Sequence, residues 1–164
     1  MIARAEAALA AKGLSNVRLV AMSAFDLTGA KLLEITTKQQ SELDMVVCSH
    51  GFSAMDNPEP IFRHTLSLLK RGGRYLIMDE YYAERNVLTV LSRHLFDRWF
   101  LGSNQFSRPW LLLENELTHF VKYDRPFKNF GIVPGNYYVA GGFKRLSETG
   151  WSWGNTFQIA EPVR

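Results

Sequence analysis

The 164-residue chain has a single cysteine, Cys48, which excludes an internal disulfide and any Cys-rich zinc site. Its four histidines show no metal-ligand spacing, so no metal is expected. No apolar run approaches the roughly 20 residues that span a bilayer. The opening residues, MIARAEAALAAKG, carry charges throughout and lack the apolar stretch of a secretory signal. A reduced, cytoplasmic setting without a transmembrane segment is the expectation. Neither sign of charge dominates: 19 Lys and Arg against 16 Asp and Glu leave a net +3, too mild for a dedicated nucleic-acid binder. Internal repeats, low-complexity tracts and long linkers are also missing, so the chain can form one unit.

What is present suits a packed core. Hydrophobic residues make up 46% and charged residues 21%, ordinary globular usage that excludes wholesale disorder. Ala-rich residues 2–12 run up to Gly13, the composition and stop signal of a helix. Val17–Met22 then reads as a short, largely apolar strand, and a short helix or loop surrounds Ala30–Thr36. Met45-Val46-Val47-Cys48 has the look of a strand buried on both faces. Asp56-Asn57-Pro58 supplies a cap, and Ile61, Phe62, Thr65, Leu66 and Leu69 follow at helical spacing until Gly72-Gly73. Tyr75-Leu76-Ile77-Met78 is the next buried strand, closed by Asp79-Glu80. Strand, crossover helix and strand predict an α/β fold with a parallel pair.

Further along, Leu88, Leu91, Leu95 and Trp99 form a helical stripe within 85–101, simplest as a core-facing surface. The sharper alternative is a lid over a pocket, in which Trp99 and Phe100 would favour a lipid-like or aromatic compound and Arg93 and Arg98 would face an anionic head group. Pro109 opens another helix through about Leu117. Thr118–Phe127 and Tyr137–Lys144 then read as an antiparallel hairpin with a long loop holding Gly131, Pro134 and Gly135. The tail 146–164 contains Trp151, Trp153, Phe157 and Ile159 and suggests a docking segment.

The segments LDMVVCSHGFSAMDNPEPIF and LLKRGGRYLIMDE carry an order more specific than any one piece. A strand ends in a small polar residue, a loop with Asn-Pro-Glu leads into a helix, and a two-glycine turn feeds a strand ending in an acid. This order resembles the second half of a class I S-adenosylmethionine-dependent methyltransferase, over about residues 1–145. Arg71 stands where that family's turn has Pro. The resemblance implies a partial Rossmann-like sheet, S-adenosylmethionine as cofactor, and methyl transfer to a small-molecule or lipid-like acceptor. Ligands in an open parallel sheet bind outside the carboxyl ends of the strands. The resemblance therefore points to Met22, Ser23, Ala24 and Phe25 on the adenine side, with Ser23 where the family often has Asp. Ser49, His50 and Gly51 fall on the methionine and ribose side. His50 and Asp79 are the candidate catalytic residues, and Tyr81 and Tyr82 the candidate substrate wall.

The family's glycine-rich loop between a strand and a helix is not in this sequence. Neither Gly72-Gly73 nor Gly141-Gly142 follows a strand and opens a helix. In the family's strand order, two further strands lie between those at Val17–Met22 and Met45–Cys48. Without them two apolar edges stand open. The chain is therefore expected to be a fragment of a longer enzyme. A truncated paralogue that lost catalysis, or a homo-oligomer completing the sheet from another subunit, are the alternatives. A non-catalytic interaction module is the second functional reading. The third is an RNA-binding face of Lys122, Arg125, Lys128, Lys144 and Arg145 interleaved with Tyr123, Phe127 and Phe143. For single residues the blunt readings stay open: His50 as a structural histidine, Asp79 as a helix cap, Tyr81 and Tyr82 as packing. His64, His94 and His119 are read as structural and Cys48 as a small buried apolar residue.

Overall fold

The computed structural model describes residues 2–36, 40–82, 86–92, 108–129 and 133–146. Helix α1 (Ile2–Ala11) ends as its composition predicts, with Gly13 at φ 65°, but none of its residues is buried. The strand expected at Val17–Met22 does not form, and Val17, Leu19 and Val20 are exposed. A strand is held by partners for its backbone N–H and C=O groups. The neighbouring strand that the resemblance would place beside this segment is not among the described elements. A 3-10 turn at Ala24–Asp26 and helix α2 (Gly29–Ile35) come next, capped by Ser23 and Thr28.

The sheet is built from β1 (Leu43–Ser49), β2 (Leu69–Tyr81), β3 (Leu117–Asn129) and β4 (Val133–Lys144), in the order β1-β2-β4-β3. β1 and β2 are parallel, joined by α3 (Glu59–Leu68), and the other pairings are antiparallel. The Asn57 side chain accepts the Glu59 N–H at 3.1 Å, and Pro58 sits in the first turn, where its missing N–H costs nothing. The helix ends at Leu68 rather than at the glycine pair. Leu43 already pairs with Leu69 and Met45 with Arg74, so β2 advances five positions while β1 advances two. Gly72-Gly73 therefore lies in a bulge inside β2, with Gly72 at φ 72°.

Helices α3 and α5 (Trp110–Glu116) cover one face. There Ile61, Phe62, Trp110 and Leu113 pack on Tyr75, Ile77, Tyr138 and Ala140. Within this core the Thr65 hydroxyl donates to the Ile61 carbonyl, and it lies 2.7 Å from the Tyr75 hydroxyl, which can donate back to it. Burial pushes the Tyr75 phenol well above its ordinary range. The opposite face carries Met45, Val47, Met78, Val121, Tyr123, Tyr137 and Val139, all exposed. This overturns the two-sided burial expected of Met45–Cys48. Val46 and Cys48 turn inward, while Met45 and Val47 remain 47% and 51% exposed. β1 is an edge strand, and no described element covers its outer face.

Two further expectations change. The hairpin ladder continues to Asn129 and Val133, so Pro134 and Gly135 belong to β4 rather than to the loop. In α4 (Val87–Ser92) the Asn86 side chain accepts the Thr89 N–H at 3.0 Å, and the Thr89 hydroxyl accepts the Asn86 N–H at 2.9 Å. This reciprocal cap sets the helix phase. Thr89 is buried, and Val87, Leu88 and Leu91 are exposed instead of core-facing. The rest of that stripe, with Arg93, Trp99 and Phe100, and the tail from Ser147 lie outside the described residues.

Candidate functional site

The carboxyl ends of the parallel pair place the predicted residues in two groups, one on each side of the sheet. The first group is on the open side. β1 ends at Ser49, and the His50 N–H donates to the Met78 carbonyl at 2.8 Å, extending the strand contact by one residue. The backbone then turns sharply, with His50 at φ 51°. Positive φ is uncommon for a residue with a side chain and tends to occur where function requires it. Ser49 Oγ lies 3.0 Å from His50 Nδ1, and the imidazole meets the Tyr137 ring edge-on at 6.5 Å. Phe127 stacks on Tyr137 at 4.3 Å, so the exposed imidazole stands beside an aromatic wall. Gly51 is needed locally, because a Cβ there would lie 2.7 Å from Cys48 Sγ.

The second group lies under the helices. Asp79 was expected to face a substrate; the structure places it in the interior, 2% exposed. One carboxylate oxygen accepts the Ser53 N–H and the other the Glu80 N–H, both at 2.9 Å. Asp79 thus ties the turn after β1 to the end of β2, which makes it a positioning residue for the His50 turn. Tyr82 is also not a wall: its ring is fully buried, and its carbonyl accepts from Arg108 Nη2 at 2.8 Å. Tyr81 is half-buried and packs on Trp110 at 4.6 Å and on Tyr138 at 5.8 Å. Cys48, inward-facing beneath the turn, has its thiol pushed up by burial and then by the Asp79 carboxylate.

Met22, Ser23, Ala24 and Phe25 lie in a separate turn. The Ser23 hydroxyl accepts the Phe25 N–H at 3.3 Å, and Phe25 tilts against His64 at 5.8 Å. His64 in turn bonds the Leu27 carbonyl at 2.9 Å, so its role is to dock this turn on α3. No hydrogen bond among the described residues joins the Ser23 turn to the Ser49–Gly51 turn. No group of three or more His, Cys, Asp or Glu side chains able to hold a metal occurs among them either.

Pattern alone did not single out Tyr137, Tyr138, Trp110 and Arg108. Asp79 lies opposite Tyr138, which lies opposite Asp124, and this row exists only once the hairpin register is set. The same register scatters the basic set proposed for RNA. Lys122 engages Asp124 and the rings of the covered face, Lys144 Nζ donates to the Leu69 carbonyl at 2.5 Å, and Arg145 donates to the Asn115 carbonyl at 3.1 Å. Gly141, in mid-strand, leaves no room for a Cβ against Tyr75 and Leu76, so that pair serves strand packing.

No protein-family model matches this sequence, and no curated protein matches it. Solved structures do match. A Bacillus halodurans protein assigned as a methyltransferase aligns over 86% of this chain and 77% of its own, with a TM-score of 0.61 and 16% identity. The YcgJ protein of Bacillus subtilis aligns over 88% and 78%, with a TM-score of 0.61 and 17% identity. The chain has a methyltransferase-like fold. An O-methyltransferase family protein from Burkholderia thailandensis agrees over 86% of this chain and 40% of its own, with a TM-score of 0.50 and 16% identity. At these identities the likeness is one of fold. In this methyltransferase-like sheet the His50 turn occupies the edge where open α/β sheets take their ligands. Among the described residues no helix is long and apolar enough to cross a membrane.

Proposed function

We propose that the chain serves S-adenosylmethionine-dependent methyl transfer to a small-molecule or lipid-like acceptor. The observation that carries this reading is the His50 turn: a histidine in left-handed backbone, at a strand's carboxyl end, beside Tyr137. Ser49, His50 and the half-exposed Gly51 suit the polar end of a nucleoside-type cofactor, with Ser49 and His50 on the surface. Ser23 already caps its own turn, so Met22–Phe25 would support the adenine through backbone and the exposed Phe25 ring. When bound, the cofactor supplies a methyl group activated on a sulfonium centre. In the tautomer whose Nδ1–H donates to Ser49 Oγ, His50 Nε2 is the ring nitrogen that would take a proton from an acceptor. The exposed apolar side of α4 follows the end of β2 and supports an apolar acceptor body.

The second reading, a non-catalytic interaction module, is favoured by the apolar sheet face exposed among the described residues and by the edge position of β1. A second copy of the chain that completes the sheet is the partner this surface suits. Calorimetric titration with S-adenosylhomocysteine separates the two. Micromolar binding supports the enzyme, and no heat from a folded chain supports the module. Sedimentation velocity on the same samples reads the self-association. In an active sample, His50→Ala should depress turnover far more than stability, and equal losses would make the histidine structural.

A further inference from the structure

Phe127 lies opposite Gly135 across the β3–β4 ladder, and Tyr137, two residues further along β4, shares that face of the sheet. A Cβ on Gly135 would stand 2.8 Å from both Cε1 and Cζ of Phe127, so the phenyl ring occupies the space that any other residue would fill. Gly135 is not in left-handed backbone, and close approach rather than conformation is what calls for glycine there. Lying over Gly135, the half-buried Phe127 stacks on Tyr137, with centroids 4.3 Å apart and planes 26° apart. Diagonal neighbours on one sheet face lie within reach of aromatic side chains.

Tyr137 in turn meets the His50 imidazole edge-on at 6.5 Å. That imidazole is exposed, and Ser49 Oγ, 3.0 Å from Nδ1, is one fixed point on it. A single hydrogen bond leaves an exposed ring free to swing, and a second contact removes part of that freedom before any ligand arrives. Tyr137 is itself 45% exposed, so its ring needs a support of its own to act as that contact. We propose that Phe127 is a positioning residue for His50: seated over Gly135, it fixes the Tyr137 ring, and Tyr137 fixes the imidazole. The use of that imidazole rests on the methyl-transfer reading; its orientation does not. If the stack served only the sheet edge, its loss would lower stability and leave the imidazole as it is.

The test is NMR of the two His50 ring nitrogens in the isotopically labelled full chain, at about pH 8.5, well above the ordinary histidine range. A neutral ring held by Ser49 as one tautomer gives widely separated nitrogen signals, and a ring that swings free draws them together. Separated signals are expected in the parent chain, and Phe127→Leu should draw them together. Phe127→Tyr keeps an aromatic ring over Gly135 and should leave them apart. Gly135→Ala is the second variant, because its methyl displaces only the far end of the Phe127 ring and spares the fold; it should also draw them together. In the double variant the glycine change should add nothing, since the ring it displaces is gone. Val121→Ala, exposed on the same strand, is the control and should have no effect. Signals already together in the parent, unchanged in either folded variant, or equally sensitive to Val121→Ala would overturn the assignment. Titration with S-adenosylhomocysteine keeps the two readings apart. Binding without the His50 response refutes the positioning role alone; the response without binding supports positioning and refutes methyl transfer.

Discussion

Replacing Asp79 by Asn changes one oxygen for an amino group at a site where two backbone donors converge. The Ser53 and Glu80 N–H groups each lie 2.9 Å from a different carboxylate oxygen, in a 2%-exposed setting. Asparagine keeps one acceptor and turns its own donor toward the other N–H. One charge-assisted hydrogen bond is lost and one buried donor is left unpaired, together about 2–4 kcal/mol. For a chain of this size each kcal/mol moves the melting temperature roughly 2–4 °C, so a fall of roughly 5–15 °C is expected. Thermal and urea unfolding followed by circular dichroism measure it. Hydrogen exchange at the Ser53 amide tests the cause, since that N–H should lose protection ahead of the β2–β4 ladder. An unchanged melting temperature with unchanged Ser53 protection would refute the role given to Asp79. It would return the carboxylate to the substrate side, where Asn would lower turnover and leave stability alone.

Cys48 offers an independent probe of the same turn. Burial and the Asp79 carboxylate raise its thiol, so at pH 8 iodoacetamide should alkylate the folded chain more slowly than the urea-unfolded one, as read by mass spectrometry. The folded value lies above the unfolded one, so this thiol's contribution to stability is complete below about pH 8.5 and declines as pH rises through the raised value. Asp79→Asn should speed alkylation, and equal rates in both chains would contradict the packing described. Gly141→Ala should cost about 1–3 kcal/mol or more, because the added methyl meets Tyr75 and Leu76 in mid-sheet; a melting temperature unchanged from the parent would show that the β2–β4 spacing gives way easily.

Much of the architecture was legible from local chemistry. The Gly13 stop, the Asn57-Pro58 cap and the apolar runs on either side of α3 each act within a few residues, and the parallel pair with its crossover follows from them. The resemblance drawn from LDMVVCSHGFSAMDNPEPIF and LLKRGGRYLIMDE agrees with the fold of the solved neighbours. Local pattern failed where a residue's state depends on what lies beside it. Val17–Met22 has strand composition but pairs with no strand among the described residues. Met45 and Val47 are as apolar as Val46 and Cys48, yet they are exposed because alternate side chains point to opposite faces and no described helix packs on theirs.

The site divides in the same way. Sequence by itself determined that polar and ionisable residues follow each buried strand, since Ser49-His50-Gly51 and Asp79-Glu80 end apolar runs. Tertiary structure alone decided their roles. Strand pairing across 59 positions sets Tyr138 opposite Asp79, and the turn at Ser53 closes on that carboxylate from 26 positions away. The hairpin brings Lys122 onto the rings of Tyr81 and Trp110. Burial and hydrogen bonding belong to such long-range juxtapositions, and a linear pattern of residue types does not contain them.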